Sequence, residues 1–201
     1  GLRAFLHHVA DLITHHHIDV MWLHDSRFTA GTLDAHLPLL QSLLPNCRLY
    51  QFPTTYIHTG SRCQSFNRMG GALAIVCHAW HGYVTRSIPD PTGSGLINAL
   101  DIHLPPYSFR LINSYIVPTS AASHGPATVH SRLTSYIQGP TSPKWAKGLS
   151  PVRYQYAYLQ HLLDHSPTHP SLSLISGDFN ASLAHPSGLA PSPFTLWHRT
   201  N

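Results

Sequence analysis

The sequence predicts a mixed α/β domain built in layers, and three observations carry that prediction. Apolar residues at helical spacing near the start lead into a short, continuous apolar run, the pattern of a helix followed by a buried strand. Further apolar runs of strand length then follow one another, with turn residues between them. The length of 201 residues suffices for one domain with a real core and is short for two, and 42% hydrophobic against 10% charged residues is the balance of a globular chain.

Each element has its own signal. Leu2, Phe5, Leu6, Val9, Leu12 and Ile13 share one helix face, and His15-His16-His17 closes that helix. Residues 18–23 read as a short buried strand ending at His24-Asp25-Ser26-Arg27. A second helix over residues 32–44 is interrupted by Pro38. Cys47–Phe52 is a candidate strand, and residues 53–68 are polar and loop-like. Gly70-Gly71 introduces Ala72–Cys77, a core strand. Two more strands, over residues 96–104 and 109–116, flank the turn Pro105-Pro106-Tyr107-Ser108. Residues 119–151 are rich in Ser, Thr, Pro and Gly and read as an extended surface insertion. Residues 154–165 predict a helix with Tyr158, Leu159, Leu162 and Leu163 in the core. Residues 172–176 predict a strand running into Gly177-Asp178-Phe179-Asn180.

Composition excludes several classes. No apolar run is long enough to cross a membrane as a helix, and the N-terminus lacks the apolar stretch of a signal peptide. Cys47, Cys63 and Cys77 are odd in number and share no C-x-x-C spacing, which suits reduced thiols in an intracellular protein better than a disulfide or zinc framework. All eight acidic residues are Asp, and ten of the twelve basic residues are Arg. A coding strand rich in C and poor in purines would produce this pattern, and most of the 18 histidines read as the same compositional drift. The net charge of +4 is compatible with a polyanionic partner.

The chemistry concentrates at Ser176-Gly177-Asp178-Phe179-Asn180. A strand there delivers a carboxylate and an amide, two residues apart, to the rim of a sheet, and Gly177 permits a sharp backbone path. Hard cations such as Mg²⁺ take oxygen ligands, and an amide beside one can orient a phosphate. The plain alternative is a turn, since Gly, Asp and Asn are ordinary turn residues.

The Gly-Asp-Phe-Asn segment resembles the signature of the endonuclease/exonuclease/phosphatase family, especially the endonuclease domains of non-LTR retrotransposons. Upstream segments resemble the family in the same order. Residues 18–26 are similar to a strand ending in Gln-Glu-Thr, Gly70-Gly71-Ala72-Leu73-Ala74-Ile75 to a Gly-Gly-x-x-Ile strand, and Asn113-Ser114-Tyr115-Ile116-Val117-Pro118 to an Asn-x-Tyr-x-Pro segment with one extra residue before the proline. Gly1-Leu2-Arg3 resembles the tail of an opening Asn-x-Asn-Gly-Leu motif.

The resemblance implies a four-layer α/β sandwich of two packed sheets flanked by helices, with the site where strand ends from both sheets meet. It places Asp25 as metal ligand for Mg²⁺ or Mn²⁺ and Tyr115 on the scissile phosphate. Asp178 would position or activate the attacking water, with Asn180 on the phosphate or on that Asp. The implied partners are DNA and, in a full-length parent, a reverse transcriptase; the implied place of action is the nucleus.

Three departures stand beside the match. Asp25 takes the place of a Glu and is one methylene shorter, the opening Asn is absent, and no closing Ser-Asp-His motif follows Asn180. With no initiator Met, these features lead to the expectation of a single partial domain over residues 1–201, truncated at both ends. They also sustain a rival reading as a non-catalytic remnant or nucleic-acid-binding scaffold. Phosphatases and other nucleases share the implied fold. A zinc-binding role for His7, His8 and His15–His17 is the weaker third alternative, and surface histidines are the simpler reading.

Overall fold

The computed structural model describes residues 1–24, 30–54, 70–117, 128–165 and 171–179. Along them run α1 (Leu2–His15), β1 (Val20–His24), α2 (Ala30–Leu43), β2 (Cys47–Phe52), β3 (Ala72–Cys77), α3 (His78–His81), β4 (Val84–Ile88), β5 (Ile97–Leu104), β6 (Tyr107–Tyr115), α4 (Val129–Gln138), α5 (Pro151–Asp164) and β7 (Ser171–Asp178). A short 3-10 turn, Lys144–Ala146, precedes α5.

The unbroken apolar run of β3 is explained by its position. It lies at the centre of a three-stranded antiparallel sheet in the order β1-β3-β2, covered on both faces. Leu73 and Ile75 face a helical layer, packing with Leu6, Val9 and Ile13 of α1 and Leu40 of α2. Ala72, Ala74 and Val76 alternate to the other face and meet Leu100 of β5. That contact joins the first sheet to a second of four strands, ordered β4-β5-β6-β7, in which only the β6–β7 pair is parallel. Its outer face carries Ile97, Ala99 and Ile112 against Leu133 and Ile137 of α4 and Leu159 and Leu162 of α5. Helices, sheet, sheet and helices therefore stack as four layers, as the resemblance implies.

Several expectations need correcting. Residues 119–151 read from composition as an extended surface insertion, but their described part, 128–151, contains α4. Its Val129, Leu133 and Ile137 recur every four residues and are all buried. The Thr128 side chain caps the helix by accepting from the Ser131 N–H, so the polar composition marks a capped amphipathic helix. Pro38 does not interrupt α2: its ring is exposed, and Leu40 and Leu44 anchor the following turn in the core. Burial there outweighs the one lost backbone hydrogen bond. β4 has no sequence signal because it is an edge strand whose middle residues, Thr85, Arg86 and Ser87, are exposed.

Gly70-Gly71 serves a close approach of backbones. Gly70 has φ +96°, and a Cβ on it would collide with the Ser94 carbonyl, to which the Gly71 N–H donates at 2.8 Å. The 90–98 loop making this contact is tied by Asp90, whose carboxylate accepts from Thr92 N–H, Thr92 Oγ1 and Leu96 N–H. Burial raises the Asp90 pKa above the usual carboxylate range, against the opposing effect of those donors.

Candidate active site

β6 and β7 run in the same direction, and their register sets Tyr115 directly beside Asp178 at the shared C-terminal end. The residue before each explains how closely the strands meet. Gly177, at φ +147°, stands opposite Ser114, and any Cβ there would overlap the Ser114 carbonyl. The Asp178 carbonyl then accepts from the Ile116 N–H at 2.8 Å, which holds the two exits together. By strand alternation Leu111, Asn113 and Tyr115 share a face, and Leu100, registered with Leu111, directs that face toward the first sheet. Ser176 and Asp178 lie on the same face.

The first sheet supplies His24 at the end of β1, with its ring centroid 6.4 Å from that of Tyr115. At the same end, just past β2, the buried Thr54 hydroxyl accepts from Arg132 Nη1 of α4 at 3.4 Å. Strand ends from both sheets thus converge, with Tyr115 half-buried and His24 and Asp178 exposed. The structure brings Tyr115 and Asp178 together; Asp25 and Asn180, each one residue beyond a described segment, lie outside the described residues.

Three more residues stand at this place: Gln155 lies in no motif, while Asn113 opens the Asn-x-Tyr segment and His24 precedes Asp25, and neither motif assigns them a role. Gln155 of α5, 1% exposed, donates from Nε2 to the Tyr115 carbonyl at 2.8 Å and accepts at Oε1 from the Val117 N–H at 2.9 Å. Both ends of one amide hold the backbone on either side of Ile116. The available signal was a Gln at the apolar-face position four residues before Leu159 and seven before Leu162. Asn113 is fully buried between Asn98 and Ser176 in register, and among the described residues neither of its amide atoms has a partner. Leaving such a group unpaired costs about 1–3 kcal/mol, and its signal was a polar residue inside an apolar strand. His24 was hidden because only the packing of the sheets brings it to Tyr115.

The donors suit a hard cation held by few protein ligands. Among the described residues no three His, Cys, Asp or Glu side chains gather into a metal-holding group. Mg²⁺ needs only about one or two carboxylates and keeps its waters. Asp178 is one such carboxylate, and Asp25 follows His24 directly in the chain.

No family model matches the sequence, and no curated protein does. Solved structures do match. Humanized D. rerio TDP2 is 10% identical with a TM-score of 0.50, over 89% of this chain and 59% of that one. The fold is DNase I-like. Two further structures of this DNase I-like, endonuclease/exonuclease/phosphatase fold match with TM-scores of 0.49 at 14% identity, each over 90% of this chain: TDP2 from C. elegans, over 44% of its length, and the human nocturnin catalytic domain with bound sulfate anion, over 57%. The chain therefore spans about half the length of the solved chains it matches.

Proposed function

We propose that this chain forms part of a metal-dependent phosphodiesterase domain that nicks DNA, of the kind carried by retroelement proteins. The observation that supports this most is the registered Tyr115–Asp178 pair at the meeting of the two sheets. The Tyr115 hydroxyl donates to a non-bridging oxygen of the scissile phosphate. Asp178 takes a proton from the water whose oxygen bonds to phosphorus, the P–O3′ bond breaks, and the 3′ oxygen leaves as a hydroxyl with a proton taken up from solvent. Asn180 holds the phosphate or orients Asp178. Asp25 would hold Mg²⁺ or Mn²⁺, which when bound supplies positive charge to the phosphoryl oxygens. A pI near 9.1 suits a polyanionic substrate.

The retroelement reading rests on the short motifs, as do a reverse transcriptase elsewhere in the parent protein and action in the nucleus. Among the described residues no helix is long and apolar enough to cross a membrane.

Nicking of supercoiled plasmid by the purified chain, with Mg²⁺ and with EDTA, tests the proposal. Metal-dependent nicking that falls at least about 100-fold in Asp178→Ala is the expected result. A folded chain that does not nick would make a non-catalytic, nucleic-acid-binding remnant the better description. Equal nicking by the Ala variant would remove Asp178 from the chemistry.

A further inference from the structure

Cys47 opens β2 and Cys77 closes β3, thirty residues apart in sequence, and the antiparallel register pairs them directly. Their Sγ atoms lie 2.8 Å apart. Cys47 is buried and Cys77 is half-buried, at the edge of the core beneath α1 and α2. Directly opposed antiparallel residues place their Cα atoms about 4.5–5.5 Å apart, inside the roughly 4.4–6.8 Å that a disulfide spans. Reaching an S–S bond of about 2.05 Å requires the sulfurs to approach by under ~1 Å. The pair also lies at the far end of its strands from the candidate active site, since Phe52 and Ala72 mark the end shared with His24.

We infer that Cys47 and Cys77 form an oxidisable dithiol, which a low-molecular-weight disulfide such as glutathione disulfide closes into a cross-strand bond between β2 and β3. Cys77 is the more exposed of the two residues and enters first. Its thiolate attacks glutathione disulfide, an S–S bond forms between Cys77 and one glutathione, and the other leaves as a thiolate and takes up a proton. Cys47 then attacks the Cys77 sulfur and displaces the second glutathione, which receives the proton that Cys47 gives up. The protein dithiol loses two electrons and two protons, and one glutathione disulfide becomes two glutathione thiols. Burial, and then the adjoining Cys77, push the Cys47 thiol up to about 12, so Cys47 does not start the exchange; its place 2.8 Å from the Cys77 sulfur is what lets it resolve the mixed disulfide. Were Cys47 and Cys77 packing residues alone, both thiols would stay unreacted.

The test uses the full chain carrying Cys63→Ser, incubated with glutathione disulfide. Intact mass should fall by two hydrogens with no glutathione retained, both thiols should disappear, and dithiothreitol should restore them. Closing a loop of this length should raise the melting temperature by roughly 5–10 °C. Glutathione stably retained on Cys77, or two thiols unreacted while a free thiol peptide in the same tube exchanges, would overturn the inference. A Cys47→Ala, Cys63→Ser chain should instead keep one glutathione on Cys77, and an unreacted Cys77 there also counts against it. In the unsubstituted chain, peptide mapping without reductant must find Cys47 joined to Cys77; a bond from either to Cys63 overturns the assignment.

Discussion

Gln155 is where one side chain decides the geometry of the site. Its amide satisfies a buried carbonyl and a buried N–H on the segment that leaves β6, and so sets where the Tyr115 ring emerges. Gln155→Leu keeps similar bulk and strips both partners, at a cost of roughly 2–4 kcal/mol for two groups left unpaired. Glu at the same position keeps an acceptor for Val117 and loses the donor to Tyr115, so its melting temperature should fall between those of wild type and Leu. Plasmid nicking by the Leu variant, measured where circular dichroism shows it fully folded, should drop at least about tenfold, because misplacement of about 1 Å is costly to catalysis. Full-rate nicking by that variant would reduce Gln155 to a purely structural role.

At the scale of elements, α5 is tied to the second sheet by a buried ion pair. Arg110 of β6 holds Asp101 of β5 through two hydrogen bonds of 2.6 and 2.8 Å, and both side chains are at most 5% exposed. The remaining guanidinium donors reach the Leu162 and His165 carbonyls, which the end of α5 leaves without helical partners. Arg110→Met strands the Asp101 carboxylate in the core and should cost about 3–5 kcal/mol in urea unfolding. Adding Asp101→Leu should recover much of that loss. A double variant no more stable than Arg110→Met would mean that the helix-end carbonyls, and not the carboxylate, dominate. Helices and strands with strong periodicity, such as α1, β3 and α5, are legible in the amino-acid sequence. α4 and β4 are not, since one is masked by Ser and Thr and the other buries little of its length.

For the molecule as a whole, the spacing of the two sheets is critical, because His24 and Tyr115 come from different ones. Ala74 sits at the centre of the first sheet, flanked in register by Trp22 and Tyr50, and is fully buried on the face that meets the second sheet. A small residue between two aromatic ones lets the layers close. Ala74→Leu should push them apart, cost about 1–3 kcal/mol by overpacking, and lower nicking by more than that loss of stability explains. Unchanged nicking in a destabilised variant would show that the site tolerates a change in sheet spacing. On the second sheet, Leu172 and Leu174 of β7 are 47% and 52% exposed, so the row begun by Phe109 and Leu111 continues beyond the cover that the first sheet provides.

Local pattern alone determined much of this protein. Helical periodicity located α1 and α5, an unbroken apolar run located the buried central strand, and Gly177 announced a sharp backbone path. Tyr115 and Asp178 stood out because short motifs keep their residues adjacent in the chain. Their register, the His24 ring beside Tyr115, the Gln155 clamp and the Cys47–Cys77 pair were decided by tertiary structure. Each joins residues between 30 and 91 positions apart, and separations of that kind are set by strand register and layer packing, which no local spacing encodes.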